Sequence, residues 1–156
     1  MEKAWAWLGR FIYYTAGTFV LPFTLHKSQR VKVALIDKQN EQILLGTTWI
    51  GKQRWSLIGG GRMQGEDKFV AAIREVKEET GLNIDTMDLE YVDTITESEY
   101  MSKYTTDIFI TLLDKQPTQR RKLEMLDLKW HSLNKLPKYR NSHAINAALS
   151  KYEKQG

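Results

Sequence analysis

The sequence predicts a layered α/β domain, because strand-like and helix-like segments follow one another in mixed order along 156 residues. Alternating β-branched and aromatic residues predict strands at 30–37, 42–48, 55–58, 89–96, 104–113 and 126–133. Helical spacing of apolar residues predicts helices at 67–80 and 141–152. The length suits one domain with a sizeable core, and no linker or repeat divides the chain.

Three neighbouring segments supply the first part of the predicted sheet. RVKVALID, at 30–37, alternates as a strand, and QILLGTT, at 42–48, is its expected hairpin partner across the connection DKQNE. WSLI, at 55–58, is a short strand that continues directly into three glycines, at 59–61. We therefore expect a glycine loop at the end of a strand.

The remaining elements follow the glycines. Between 67 and 80, apolar residues recur at helical spacing, at Val70, Ile73 and Val76. Gly81 then ends the helix, as a C-terminal glycine commonly does. LEYVDTIT and YTTDIFITLL alternate as strands, LDLKWHSL is a weaker strand, and NSHAINAALSKY is a terminal amphipathic helix.

The composition is that of an ordinary globular protein, with 42% hydrophobic and 27% charged residues. The chain has no cysteine, so disulfides and thiolate metal sites are excluded. This composition fits a reducing compartment, and we expect a cytoplasmic protein.

The charge is distributed unevenly along the chain. Residues 1–30 carry a net charge of +3, residues 31–114 carry −6, and residues 115–156 carry +7. An acidic middle between basic flanks suits a cation bound beside a phosphate-bearing ligand, although an ordinary mixed surface is the simpler interpretation.

The N-terminal segment 1–29 is apolar and distinct from the domain at 30–156. Residues 11–25 are uncharged, but a membrane-spanning helix needs about 20 apolar residues, and Pro22 interrupts this run. No convincing cleavage site for a secretory signal follows. The spacing of the apolar residues predicts a short helix with Trp5, Leu8, Phe11 and Ile12 on one face, followed by an extended piece. We expect this segment to pack on the core or to form a homodimer, with membrane contact the weaker alternative.

The stretch GGGRMQGEDKFVAAIREVKEETGL places three glutamates on one face of the predicted helix. Glu75, Glu78 and Glu79 repel one another unless a cation lies between them. Mg²⁺ takes carboxylate ligands and leaves other positions for water and phosphate. The preceding glycines let the backbone approach a ligand closely. Together these features predict a site for a metal-bound diphosphate.

The spacing of this stretch resembles the signature of the Nudix hydrolases at every specified position, over the 23 residues Gly60–Leu82. Gly60 is followed by five residues and Glu66, then by seven residues and the run REVKEETGL. The flanking strands and last helix fit less specifically, and with them we expect the resemblance to extend over 30–152. It implies an α/β/α sandwich around a mixed β-sheet. It also implies hydrolysis of a diphosphate linkage in a nucleoside diphosphate derivative with Mg²⁺ or Mn²⁺.

The resemblance also implies roles for individual residues. The implied metal ligands are the Gly60 carbonyl, Glu75, Glu78 and Glu79, and the implied supporting residues are Glu66 and Arg74. Many family members have proline where this chain has Ile58. This departure predicts a less rigid start of the glycine loop and leaves the ligand set intact.

Hydrolysis also needs a base to take the proton of the attacking water. Glu75 is one candidate, and the family often uses a carboxylate outside the signature. Glu97 and Glu99 in TESEY and Glu124 in RRKLEMLDLKW have the right chemistry. We favour Glu124, because its loop precedes the strand where the family often places such a residue. A solvated loop acid is the alternative for Glu99 and Glu124.

Further residues near the glycines suit substrate contacts. Arg54, Lys52 and Arg62 could bind phosphate oxygens, with solvated surface charge as the alternative. Trp49 and Tyr100 could stack on a base, with core packing as the alternative. Members that split dinucleoside polyphosphates tend to carry a tyrosine near the position of Tyr100.

The expected substrate is a small nucleotide: a nucleoside triphosphate, a dinucleoside polyphosphate, or a compound of the ADP-ribose or nucleotide-sugar type. No DNA partner is expected. Three alternatives remain open: an RNA 5′-end diphosphate hydrolase, suggested by the basic C-terminal segment; a non-catalytic nucleotide-sensing module; and a membrane-associated hydrolase.

Overall fold

The computed structural model describes residues 29–48, 54–99, 102–114, 116, 125–138 and 142–154. The five strands are β1 (Gln29–Asp37), β2 (Gln42–Thr48), β3 (Glu90–Glu99), β4 (Ser102–Leu113) and β5 (Met125–Ser132). The two α-helices are α1 (Lys68–Thr80) and α2 (Ser142–Glu153), and a 3₁₀ turn spans Thr86–Asp88. The predicted N-terminal helix and extended piece lie outside the described residues.

The strands form one mixed sheet in the order β3-β4-β1-β2-β5. The central pair, β1 and β4, is parallel, and every other pair is antiparallel. The predicted hairpin of β1 and β2 is confirmed. Residues 33–37 of β1 are all buried, because a central strand in this position has both faces covered.

A helix covers each face of the sheet, which confirms the α/β/α sandwich. One core layer packs α1 against β1 and β4, through Ala71, Ala72, Val76, Val33, Leu35 and Phe109. The other packs α2 against the opposite face, through Ala144, Ile145, Ala148, Ala34, Ile36 and Ile108. Alternate residues of β1 therefore feed the two layers, as the period-two pattern requires.

The helix α1 begins and ends as its sequence predicts. Asp67 caps the N-terminus by accepting hydrogen bonds from the backbone N–H groups of Phe69 and Val70. Gly81 has φ 77° and caps the C-terminus by donating its N–H to the Lys77 carbonyl. The apolar spacing was misleading in one respect: the Val70 side chain is 55% exposed, and the two alanines after it face the core instead.

The strand predicted at 55–58 is wrong: this segment forms only isolated bridges. β1 and β2 pair at Leu35–Asp37 and diverge beyond that point. Residues 56–61 lie in the gap, bridged to Gly46 at Ser56 and to Val33 at Ile58. Because the segment crosses between two diverging strands, it cannot build a regular ladder with either.

Neither of the two helices that the structure describes is long and apolar enough to cross a membrane.

Candidate functional site

The glycine loop, residues 59–61, lies against both β1 and α1. Gly59 has φ 133°, and a Cβ there would lie 2.3 Å from the backbone oxygen of Val31, so only glycine fits. A Cβ at Gly60 would lie 2.8 Å and 2.9 Å from the carboxylate oxygens of Glu75. The Gly59 N–H donates to Glu79 Oε2 at 2.8 Å. The loop is thus in direct contact with two glutamates of α1.

The three glutamates differ in their surroundings. Glu75 is buried and 8% exposed, Glu79 is half-buried, and Glu78 is exposed. Glu75 and Glu78 are both bound by one guanidinium nitrogen, Nη1 of Arg74, at 2.8 Å and 3.1 Å. Arg74 therefore holds the carboxylates of Glu75 and Glu78 next to each other.

Arg74 and Glu66 join the loop to the helix. Nε and Nη2 of Arg74 donate to the two carboxylate oxygens of Glu66 at 2.7 Å and 2.9 Å, and Nη2 also donates to the Gly61 carbonyl at 3.1 Å. Glu66 Oε2 accepts a further hydrogen bond from the Met63 N–H at 2.8 Å. The Glu66 carboxylate is the main cause of a raised pKa for Arg74. The bidentate pair of the Arg74 guanidinium and the Glu66 carboxylate therefore fixes the position of the loop relative to the helix.

The implied metal ligands fit a hard divalent cation in their chemistry, because all are oxygen atoms. Gly60, whose missing Cβ leaves room for the Glu75 carboxylate, also carries a backbone carbonyl. That carbonyl accepts the Val31 N–H at 2.9 Å and retains a second lone pair. Among the described residues no three acidic or histidine side chains converge into a ready-made metal cluster. Arg74 contacts one oxygen of each of Glu75 and Glu78, so each carboxylate keeps a second oxygen that a cation could use.

Lys32 is a residue of this region that the sequence interpretation missed. Its Nζ donates to the Leu57 carbonyl at 2.9 Å and to the Gly59 carbonyl. Burial of the ammonium lowers the pKa of Lys32, and the nearby Glu79 opposes that effect. The signal in the sequence was a charge between two valines, Val31 and Val33, in the strand RVKVALID.

The residues predicted to contact substrate or to act as the base differ in their surroundings. Arg62 is directed inward: it pairs with Asp107 at 3.4 Å and donates to the Glu66 carbonyl at 2.7 Å. Arg54 is exposed. Glu97 lies on β3 and accepts a hydrogen bond from Thr106 Oγ1 at 3.0 Å. The positions outside the described residues are Trp49, Lys52, Tyr100 and Glu124, and the side chain of Glu99 is likewise not described.

Comparison with known proteins identifies the family. Residues 26–151 match the NUDIX domain. Nudix hydrolase 10 of Arabidopsis thaliana is 36% identical over 111 residues, which cover 68% of this chain and 38% of that protein. This chain thus spans well under half the length of that relative.

Two solved structures share the fold. Dihydroneopterin triphosphate pyrophosphohydrolase of E. coli has a TM-score of 0.70 and 18% identity, covering 83% of this chain and 97% of that one. An Ap4A hydrolase of C. elegans has a TM-score of 0.66 and 19% identity, covering 81% and 96%. The glycine loop and α1 both lie inside the matched NUDIX domain, and the chain belongs to the Nudix hydrolase family.

Proposed function

We propose that this chain is a divalent-metal-dependent hydrolase that cleaves the diphosphate linkage of a nucleoside diphosphate derivative. One observation carries the proposal: the glycine loop lies against the Glu75 carboxylate at Gly60 and donates its Gly59 N–H to Glu79, so the loop and the carboxylates of α1 meet. This arrangement supports a cation site because hard cations bind carboxylate oxygens, and those of α1 lie beside a loop that also carries backbone carbonyls. Family membership supports the reaction class.

Residues of the glycine loop and of α1 would hold the metal ion and orient its ligands. Glu75, Glu78, Glu79 and the Gly60 carbonyl would hold Mg²⁺ or Mn²⁺. When bound, such an ion lowers the pKa of a coordinated water and neutralises charge on phosphate oxygens. Arg74 would orient Glu75 through its 2.8 Å contact with Oε1. Glu66 would keep the Arg74 fork in place.

The proposed substrate is a small nucleotide with a phosphoanhydride bond. The names of the structural neighbours, a triphosphate pyrophosphohydrolase and an Ap4A hydrolase, support that class and leave its member open. Nucleoside triphosphates, dinucleoside polyphosphates and compounds of the ADP-ribose or nucleotide-sugar type all belong to it. We keep Arg54, Arg62 and Tyr100 as proposed substrate contacts. Arg62 would have to leave Asp107 to serve as one.

We further propose Glu124 as the general base. Glu124→Gln should lower kcat by about 10²–10⁴-fold and remove the acidic limb of the pH–rate profile, because a glutamine cannot accept the proton. Glu97→Gln is the matched comparison, since Glu97 is a second carboxylate outside the signature. If Glu97→Gln gives the large loss and Glu124→Gln does not, Glu97 is the base.

The function is tested with a panel of nucleoside triphosphates, dinucleoside polyphosphates, ADP-ribose and nucleotide sugars in the presence of Mg²⁺. Phosphate release is measured with and without added phosphatase, so that diphosphate cleavage is distinguished from release of single phosphates. The double variant Glu78→Gln/Glu79→Gln should lose turnover, and Glu153→Gln, an exposed glutamate on α2, is the control.

Turnover of one class that disappears only in the double variant supports the proposal. Nucleotide binding without turnover by a folded protein that binds Mg²⁺ would contradict it in favour of a sensing module. Turnover of 5′-diphosphorylated RNA alone would instead favour the RNA alternative, and steep salt dependence on RNA would then be expected.

A further inference from the structure

The backbone carbonyls of residues 57–60 are all hydrogen-bonded to β1, some to its backbone and some to the Lys32 side chain. The carbonyls of Ile58 and Gly60 accept the N–H groups of Val33 and Val31, at 2.8 Å and 2.9 Å. In an extended segment, successive carbonyls point to opposite sides, so those of Leu57 and Gly59 need other donors. Buried carbonyls without donors are costly, and proteins almost always supply one.

Lys32 supplies the missing donors. It stands between Val31 and Val33 in β1, and its Nζ donates to both the Leu57 and the Gly59 carbonyls. The Leu57 carbonyl also accepts a longer contact from Ser56 Oγ at 3.2 Å. For the Gly59 carbonyl, Lys32 is the donor found within the described part of the chain. One side chain thus fastens the residues on both sides of Ile58.

We propose that Lys32 is a positioning residue that holds the glycine loop in the shape the active site requires. It acts through the backbone of Leu57 and Gly59 and need not touch the substrate. Gly59 also donates to Glu79, and the next residue lies against Glu75, so a displaced loop would displace both glutamates. The catalytic part of this inference rests on the proposed hydrolase function.

This role of Lys32 compensates for the absence of proline at position 58, where this chain has isoleucine. Proline would fix one backbone torsion there, whereas isoleucine leaves it to the surroundings. Here Lys32 donates hydrogen bonds to the carbonyls of Leu57 and Gly59, on either side of Ile58, and the Ile58 carbonyl accepts the Val33 N–H. The loop is therefore fastened on three successive residues by the middle of β1.

The direct test is amide hydrogen exchange of Lys32→Met, measured without metal or substrate. Methionine keeps the length and apolar stem of lysine and removes every donor. Exchange at Val31, Val33 and Gly59 should become about tenfold faster or more, because the loop loses two hydrogen bonds. Lys38→Met is the matched control: Lys38 lies just past β1, is exposed, and pairs with the exposed Asp114.

Unchanged exchange at these amides in a folded Lys32→Met variant overturns the proposal, whatever the hydrolysis assay gives. Acceleration limited to them, with α2 unaffected, supports it. If Lys32→Met does not fold, NMR of the wild-type protein tests the proposal instead. An enclosed, doubly bonded Lys32 should give a side-chain N–H signal by NMR at pH 7, where exposed lysines exchange too fast to be seen. Absence of that signal would also overturn the proposal.

Kinetics then separate positioning from simple stabilisation. In Lys32→Met, kcat should fall by about tenfold or more while KM changes by less than about threefold, because small misplacements of reacting groups slow the reaction step. Lys32→Arg retains N–H donors and should recover part of kcat. A variant that melts earlier yet keeps full kcat below its melting temperature would show a structural role only and refute the positioning role.

Discussion

The backbone N–H of Gly59 donates a 2.8 Å hydrogen bond to Glu79 Oε2, which joins two residues that stand 20 positions apart in the sequence. One is the first glycine of the loop, and the other is a proposed metal ligand in the last turn of α1. A charged acceptor makes this bond stronger than an ordinary backbone contact. The conformation of the loop and the orientation of the carboxylate are therefore coupled, and substitutions in the loop should reach the site.

Gly60→Ala should reduce activity far more than stability. The added Cβ would meet the Glu75 carboxylate at 2.8 Å, and that carboxylate is the movable end of a side chain. We expect kcat/KM to fall about 10–100-fold as Glu75 shifts, with a melting temperature close to that of the wild type. The measurement is steady-state kinetics beside a thermal melt. Full activity in this variant would show that the position of Glu75 does not matter.

Gly59→Ala should instead damage the fold. Its Cβ would lie 2.3 Å from the Val31 backbone oxygen, and φ 133° is unfavourable for alanine. We expect a loss of about 2–5 kcal/mol in the free energy of unfolding, measured by urea denaturation. Gly65→Ala is the control, since Gly65 has φ 75° but open space around it, and should cost only about 1 kcal/mol. Equal losses in the two variants would mean that the clash is relieved by an easy shift.

The sequence predicted those parts of the fold in which local pattern and tertiary environment agree. Alternation in RVKVALID identified β1 because a central strand feeds a core on each face. Asp67 and Gly81 bounded α1 because both act on their own helix ends. The spacing of Glu75, Glu78 and Glu79 predicted a shared face of α1 because helix geometry follows from spacing alone.

The other features depend on contacts between distant segments. The isolated bridges at 56–61 arise because β1 and β2 diverge, and no local pattern encodes that divergence. Val70 is exposed because neighbouring small alanines fill the interface with the sheet. Lys32 is a charge between two valines of β1, but its acceptors lie 25 and 27 residues away. Only the folded arrangement shows what it binds.

Arg74→Met should destabilise the protein strongly. It would leave the carboxylates of Glu66 and Glu75 without their main partner, and those side chains are only 10% and 11% exposed. We expect a loss of about 2–4 kcal/mol in the free energy of unfolding at neutral pH, since breaking one side of an enclosed ion pair leaves uncompensated charge. Urea denaturation measures it.

Arg74→Lys should fall between the wild type and Arg74→Met, because lysine keeps the charge but lacks the planar fork that serves both oxygens of Glu66. Arg54→Met, at an exposed arginine, should change stability by less than about 0.5 kcal/mol. A lysine variant as stable as the wild type would show that charge alone maintains this junction.

Asp37→Asn should lower stability in a way that depends on pH. Asp37 ends β1 and accepts hydrogen bonds from the Asn40 side chain at 2.7 Å, the Asn40 N–H at 3.2 Å and the Gln39 N–H at 3.0 Å. The Asn40 side chain is the main cause of a pKa below the ordinary value of 3.8 for Asp37. As pH falls, the unfolded chain takes up the proton first, so the stabilisation by this carboxylate is complete well above pH 3.8 and is lost below it.

The melting temperature of Asp37→Asn should therefore lie below that of the wild type at pH 7, and this difference in melting temperature should narrow as pH falls through 3.8. Asp114→Asn, at an 88% exposed carboxylate, should show almost no gap at any pH. A gap for Asp37→Asn that stays constant from pH 7 to pH 3 would mean that the lost hydrogen bonds, and not the ionised carboxylate, account for the effect.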